Sequence, residues 1–183
     1  MNRAEALKVL EQADLLVGAA EVESAIVRMG QEITERLKES DPVVICIMNG
    51  GLIFSGQLLT RLAFPLQVDY AHATRYGHEV SGAMLNWTVR PQADLKGKTV
   101  LLLDDILDEG VTLAAIADYC RAQGAAEVLM AALVEKLHLR KVTPGMRADF
   151  SGLEVGDRFL FGYGLDYKGY WRNAPGIYAV KGH

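Results

Sequence analysis

The sequence predicts an α/β fold with a mostly parallel central sheet flanked by helices. Three observations predict it. Runs of apolar residues without polar alternation, VVICIM at 43–48, VLLL at 100–103 and EVLMAALVEK at 127–136, read as strands buried on both faces. Stretches with three- and four-residue apolar spacing lie between them, as crossover helices would. Glycine or proline stands at most of the joints.

Taken in order, residues 3–39 read as helix, with Ala4, Leu7, Leu10, Leu15, Val22, Ile26, Met29, Ile33 and Leu37 in helical register. Pro42 closes that region and the strand 43–48 follows, broken by Asn49-Gly50-Gly51. Residues 54–63 read as a short helix stopped by Pro65, and LQVDYAHA at 66–73 as the next strand. Residues 74–90 have two glycines and no helical period, so a long loop or ribbon is expected. Residues 94–98 turn through Gly97 into the VLLL strand. A helix over 112–124 closes on Gly124 as its C-cap, before the strand 127–136. RFLFGYGLDY and GIYAV read as strands near the C-terminus, joined by a loop.

With 183 residues, half of them apolar, the chain suits one domain with an ordinary core. A formal net charge of -4 with mixed signs gives no electrostatic case for nucleic-acid binding. Cys46 and Cys120 sit in apolar contexts without C-x-x-C spacing, and read as reduced core thiols. The charged N-terminal stretch lacks the apolar segment of a signal peptide, and no apolar run approaches the roughly 20 residues of a membrane span. A cytoplasmic location is the expectation.

The stretch VLLLDDILDEGVTL, 100–113, carries the chemistry. A buried strand runs into Asp104 and Asp105, then Asp108, Glu109, Gly110 and Thr112, just before a helix. Ligands of open α/β sheets bind beyond the carboxyl ends of the strands. Gly110 permits a tight turn with converging N–H groups, and with the helix N-terminus these form a phosphate cradle. The carboxylates suit ribose hydroxyls or hydrated Mg²⁺, and one of them could move a proton. An acidic turn with ordinary helix caps would also place acids here. Four within six residues at a strand mouth favour a ligand site, since adjacent like charges cost energy unless compensated.

This stretch also resembles the phosphoribosyl-pyrophosphate (PRPP) motif of type I phosphoribosyltransferases, two acids followed by D-x-G-x-T. The rest of the chain narrows the resemblance to hypoxanthine-guanine phosphoribosyltransferases. It implies the type I fold, with a small hood formed by terminal segments, here including 150–183. It implies transfer of 5-phosphoribosyl from PRPP to hypoxanthine or guanine, giving IMP or GMP and pyrophosphate, with Mg²⁺ as cofactor. It further implies a homodimer or homotetramer.

By the same resemblance, Asp104 and Asp105 hold the ribose hydroxyls, directly or through Mg²⁺, and Asp108 is the general acid/base near purine N7. Backbone groups of Asp108, Glu109, Gly110, Val111 and Thr112, with the Thr112 hydroxyl, grip the 5′-phosphate. Glu109 and Val111 depart from a common form of the motif. IMNGG at 47–51 matches the pyrophosphate loop, with Asn49 where relatives often have a basic residue and the preceding peptide is often cis. Asn49, Gly50 and Arg172 therefore fall to pyrophosphate. Arg75-Tyr76 takes the place of a Ser-Tyr pair in the flexible loop that closes over the site. Lys136 matches the donor to purine O6, Phe159 the stacking aromatic, Leu160 the backbone contact to the base edge, and Asp166 a metal-linked carboxylate. Tyr167, Tyr170 and Trp171 read as hood packing. His72 and His78 form no ligand pattern with an acid cluster.

Two other readings stand beside this one. Xanthine-guanine specificity turns on how the pocket meets C2 of the base. A PRPP- or nucleotide-responsive regulator would need an added basic surface, which this acidic chain does not carry.

Overall fold

Asn2 starts the chain's first helix with a reciprocal capping box, accepting from the Glu5 N–H while the Glu5 carboxylate accepts from its own N–H. The computed structural model describes residues 1–75 and 85–182. Helix α1 (Arg3–Gln12) is followed by strand β1 (Asp14–Val17) and helix α2 (Ala19–Leu37). The expected single helix over 3–39 is thus two helices and a strand. Leu15, which fits the helical period, lies opposite Tyr178 at the other end of the chain, a pairing no local spacing encodes.

Strand β2 (Val43–Ile47) runs through the Asn49-Gly50 turn into helix α3 (Gly51–Leu59), which starts earlier than its apolar spacing suggests. Strands β3 (Gln67–Arg75) and β4 (Leu85–Val89) pair antiparallel, as a ribbon would, on the described residues of the 74–90 stretch. Strand β5 (Thr99–Leu107) extends past VLLL to include both Asp104 and Asp105. Helix α4 (Val111–Ala122), with Gly124 at φ 88° just beyond it, leads to strand β6 (Glu127–Leu137). Strand β7 (Phe150–Gly156), which the apolar pattern left unassigned, is followed by the short strands β8 (Leu160–Phe161) and β9 (Ile177–Ala179).

The main sheet has the order β4-β3-β2-β5-β6-β7, parallel throughout except for the β3–β4 ribbon. A smaller antiparallel sheet, β1-β9-β8, joins the two ends of the chain into the hood. Residues 150–156, grouped with the hood from sequence, instead form the edge of the main sheet.

Alternation along β5 divides the core. Leu101 and Leu103 pack with Val22, Ile26, Phe54 and Leu58 of α2 and α3, while Val100 and Leu102 pack with Leu113 and Ile116 of α4. Two-sided burial explains the unbroken apolar strand sequences. It also fixes the register that brings the carboxyl ends of β2, β5 and β6 to one rim. Cys46 and Cys120 are buried and free, and no helix among the described residues is long and apolar enough to cross a membrane.

Candidate active site

At the end of β5 the strand stops being apolar while remaining enclosed. Asp105 is 7% exposed. Burial, with repulsion from Asp105, pushes the Asp104 carboxyl well above the usual carboxylate range. Burial raises Asp105 too, against the hydrogen bonding from Asp104 and the charge of Arg172. The Asp105 N–H donates to Asp104 Oδ1 at 3.0 Å, and Arg172 Nη1 lies 4.0 Å from Asp105 Oδ2.

The turn after β2 presses on this pair. A Cβ added to Gly50 would lie 2.3 Å from Asp105 Oδ2, and one on Gly51 2.7 Å from the Leu103 carbonyl oxygen. Only glycine permits that approach. The Met48–Asn49 peptide is cis, as the resemblance implies. From the hood side, Gly164 comes so close that its Cβ would meet the Gly50 carbonyl oxygen at 2.3 Å.

Beyond Asp108 the chain turns through Gly110, which has φ 81° and begins α4 with no side-chain cap. The first-turn N–H groups around Val111 and Thr112 therefore have no intrahelical partner, the condition for an anion cradle. The segment after β6 braces the turn. Lys141 Nζ donates to the Leu107 carbonyl at 2.9 Å, the Val142 N–H to the Glu109 carbonyl at 2.7 Å, and Met146 packs where a Gly110 side chain would be.

Lys136 and His138 are two residues apart on an extended segment, so their side chains share a side. Lys136 Nζ donates to Asp108 Oδ2 at 2.9 Å, and His138 Nε2 meets Asp108 Oδ1 at 2.6 Å. Burial works to raise the Asp108 carboxyl, but the hydrogen bonds from Lys136 and His138 overcome it and hold the group below its ordinary value. Behind them Arg140 forks onto Asp157 and holds that carboxyl down at about 2. Lys136 Nζ stands 3.7 Å from Asp157 Oδ1.

The hood supplies the remaining wall. Phe159 is 48% exposed, its ring edge-on to Tyr167, and the Leu160 side chain is buried behind it. Arg172 pairs with Asp166 at 2.5 Å and donates to the Gly164 carbonyl at 2.5 Å, while Asp166 Oδ2 accepts from the Gly169 N–H. The Trp171 indole N–H donates to the Ala6 carbonyl, which ties α1 to the hood.

One cavity of about 540 Å³ takes in Asn49, Gly50, the stretch from Asp104 to Thr112 apart from Leu107, Lys136, Phe159, Leu160, Asp166 and Arg172. Of the sequence-selected residues, Arg75 is the last residue of β3 and Tyr76 lies outside the described residues. His138, Asp157 and Arg140 were not among the sequence candidates. The available signal was the Lys136-x-His138 spacing past a strand end. Asp108, His138 and Asp157 offer ligand atoms within 4.8 Å of one another, yet Lys136 and Arg140 already neutralise both acids. The less compensated oxygens are those of Asp104 and Asp105.

The chain resembles known proteins in both sequence and fold. Residues 17–168 match the phosphoribosyl transferase domain. The chain is 32% identical over 169 residues to a hypoxanthine-guanine phosphoribosyltransferase of Aquifex aeolicus, covering 91% of this chain and 94% of that one. It is 30% identical over 168 residues to the Bacillus subtilis protein of the same name, covering 91% and 92%. The crystal structure of a hypoxanthine phosphoribosyltransferase from Staphylococcus aureus superposes with a TM-score of 0.87 at 23% identity, over 99% of this chain and 96% of that one, and shares its fold.

Proposed function

The chain belongs to the phosphoribosyl transferase domain family, and from that premise we propose that it transfers the 5-phosphoribosyl group of PRPP to N9 of hypoxanthine or guanine. The products are IMP or GMP and pyrophosphate. The relatives' names support the purine class. The observation that carries the reading is the 2.9 Å pair of Lys136 and Asp108, set in one cavity between a glycine-opened helix N-terminus and the exposed face of Phe159.

In this reading the whole chain is one domain and the hood stacks Phe159 on the base. Lys136 has three N–H donors, so it can serve both Asp108 and the purine O6. Leu160 offers backbone groups to the base edge. The turn from Asp108 to Thr112 takes the 5′-phosphate on its backbone N–H groups, leaving the Glu109 side chain without a phosphate role. As N9 bonds to the ribose C1′, the bond from C1′ to the pyrophosphate oxygen breaks, and Asp108 takes the proton from N7. An ionised Asp108, held below the ordinary carboxylate range, is ready to accept it at neutral pH. Asn49, Gly50 and Arg172 receive the pyrophosphate.

The cavity wall has an unbalanced charge that bears on a metal. Asp104, Asp105, Asp108 and Asp166 face only Lys136 and Arg172 as cations among the described lining residues. A donor set of buried carboxylate oxygens with too little counter-charge fits a hard divalent cation. Mg²⁺ would be held by Asp104 and Asp105, with Asp166 through water, and when bound it supplies charge neutralisation for the pyrophosphate.

Steady-state assays with PRPP, Mg²⁺ and each of hypoxanthine, guanine, xanthine and adenine test the proposal. Adenine presents an amino donor to Lys136 where hypoxanthine presents an acceptor, and such mismatches discriminate by up to about 10⁴. We expect hypoxanthine and guanine turnover with adenine very poor. Comparable kcat/KM for adenine and hypoxanthine would assign the site to another purine class, and efficient xanthine turnover would move it to xanthine-guanine specificity.

A further inference from the structure

His138 sits outside the cavity wall, with 5% of its side chain exposed, yet its ring touches the acid/base candidate. The two ring nitrogens have different partners. Nδ1 accepts from the Arg140 backbone N–H at 3.0 Å, so in the neutral ring the proton is on Nε2, which therefore donates to Asp108 Oδ1. A doubly protonated ring would set Nδ1–H against that same N–H. The surrounding charges are already matched without it. Asp108 has Lys136, and Asp157 has Arg140 and the more distant Lys136. The ring thus contributes a donor whose direction is fixed from behind.

We propose that His138 is a positioning residue for Asp108, a second anchor that holds the carboxylate in place and ionised when Lys136 turns its donors to the purine. The proposal rests on the reading of Asp108 as the proton acceptor. Lys136 has two duties in that reading, and a carboxylate held by Lys136 alone would lose its only side-chain anchor whenever the ammonium moved to the base. His138 removes that conflict, because its own orientation is set from behind by backbone and does not depend on substrate. Its place two residues beyond Lys136 puts both donors on one side of the strand end.

The test compares the full-length protein with His138→Leu, which keeps much of the volume and deletes the donor, and His138→Gln, whose terminal amide N–H stands where Nε2–H does. Because misplacing a reacting group by an ångström costs up to about 10²-fold, we expect His138→Leu to lose roughly 10- to 100-fold in kcat. KM for PRPP should hold within about twofold, and His138→Gln should recover most of the loss. The acid limb of the kcat/KM profile should move to higher pH in His138→Leu. So should the Asp108 carboxyl titration followed by carbon-13 NMR without substrates. A pH profile and carboxyl titration unchanged in His138→Leu would overturn the proposal, as would equal losses in both variants with lowered Tm. Absence of purine turnover in the wild-type protein would instead sink the proposed activity, and the carboxyl titration would still decide whether His138 holds Asp108.

Discussion

Replacing Asp104 with Asn should make the ligand-free protein more stable while removing its activity. The Asp104 carboxyl is pushed up by burial and then by repulsion from Asp105, with Arg172 as the opposing charge. Asn keeps the shape, and its side-chain oxygen can still accept the 3.0 Å hydrogen bond from the Asp105 N–H. What disappears is a charge that folding forces beside another charge. Neutral replacement of buried ionic groups is worth up to about 4 kcal/mol. The retained hydrogen bond and the partial compensation by Arg172 place this case at the low end, about 1–2 kcal/mol. For a chain of 183 residues that is a Tm rise of about 2–8 °C. The sign follows from linkage. A carboxyl whose folded value is raised gives its full stabilisation below the ordinary value of 3.8 and loses it as pH climbs through the raised one. Asn has no such dependence, so the advantage of the variant should be small at pH 4, near the ordinary carboxylate value, and larger at pH 9. Scanning calorimetry of both proteins at the two pH values, without PRPP or divalent cations, measures it. A variant that melts at or below the wild-type temperature at pH 9, or whose gain does not grow with pH, would refute the reasoning.

Three further outcomes are expected. Asp108→Asn should fold and bind PRPP but lose roughly 10²–10³ in turnover, read by rapid-quench measurement of the chemical step. Lys136→Ala should cost roughly 2–4 kcal/mol in transition-state binding for hypoxanthine and guanine, with PRPP affinity nearly unchanged by calorimetric titration. Because Asp108 loses a donor as well, the acid limb of the Lys136→Ala profile should also move to higher pH. Gly50→Ala places a Cβ against the Asp105 carboxylate at 2.3 Å, an overlap expected to cost about 1–3 kcal/mol of stability by thermal melting and to weaken PRPP binding.

The main sheet was legible because its strands are buried on both faces, and two-sided burial writes an unbroken apolar run into the sequence. Where burial is one-sided or brief, the signal fades. Strand β1 has three exposed residues and a partner at the far end of the chain, so Leu15 fitted a helical period equally well. Strand β7 alternates, is interrupted by Gly152, and lies on the sheet edge. Gly152 is there because a Cβ would meet the Leu133 carbonyl oxygen of β6 at 2.5 Å, and Met29 Sδ of α2 at 2.9 Å. That requirement is set by neighbouring elements and leaves no local period to read.

The candidate site divides along the same line. The proposed phosphate turn is contiguous in sequence, so residues 104–112 announced it together. His138 reaches Asp108 from a different strand end, and only the parallel pairing of β5 with β6, with Leu107 opposite Glu135, brings the two segments level. The departures from the family pattern also acquire physical meaning only in three dimensions. Asn49 lacks the charge often found at its position, and Arg172 is already engaged by Asp166 and faces Asp105. In the proposed reading Arg172 is therefore a shared cation for pyrophosphate, drawn from Asp166 and Asp105 rather than held free for it. Sequence alone identifies Asn49 as neutral; it takes the commitment of Arg172 to make that neutrality consequential.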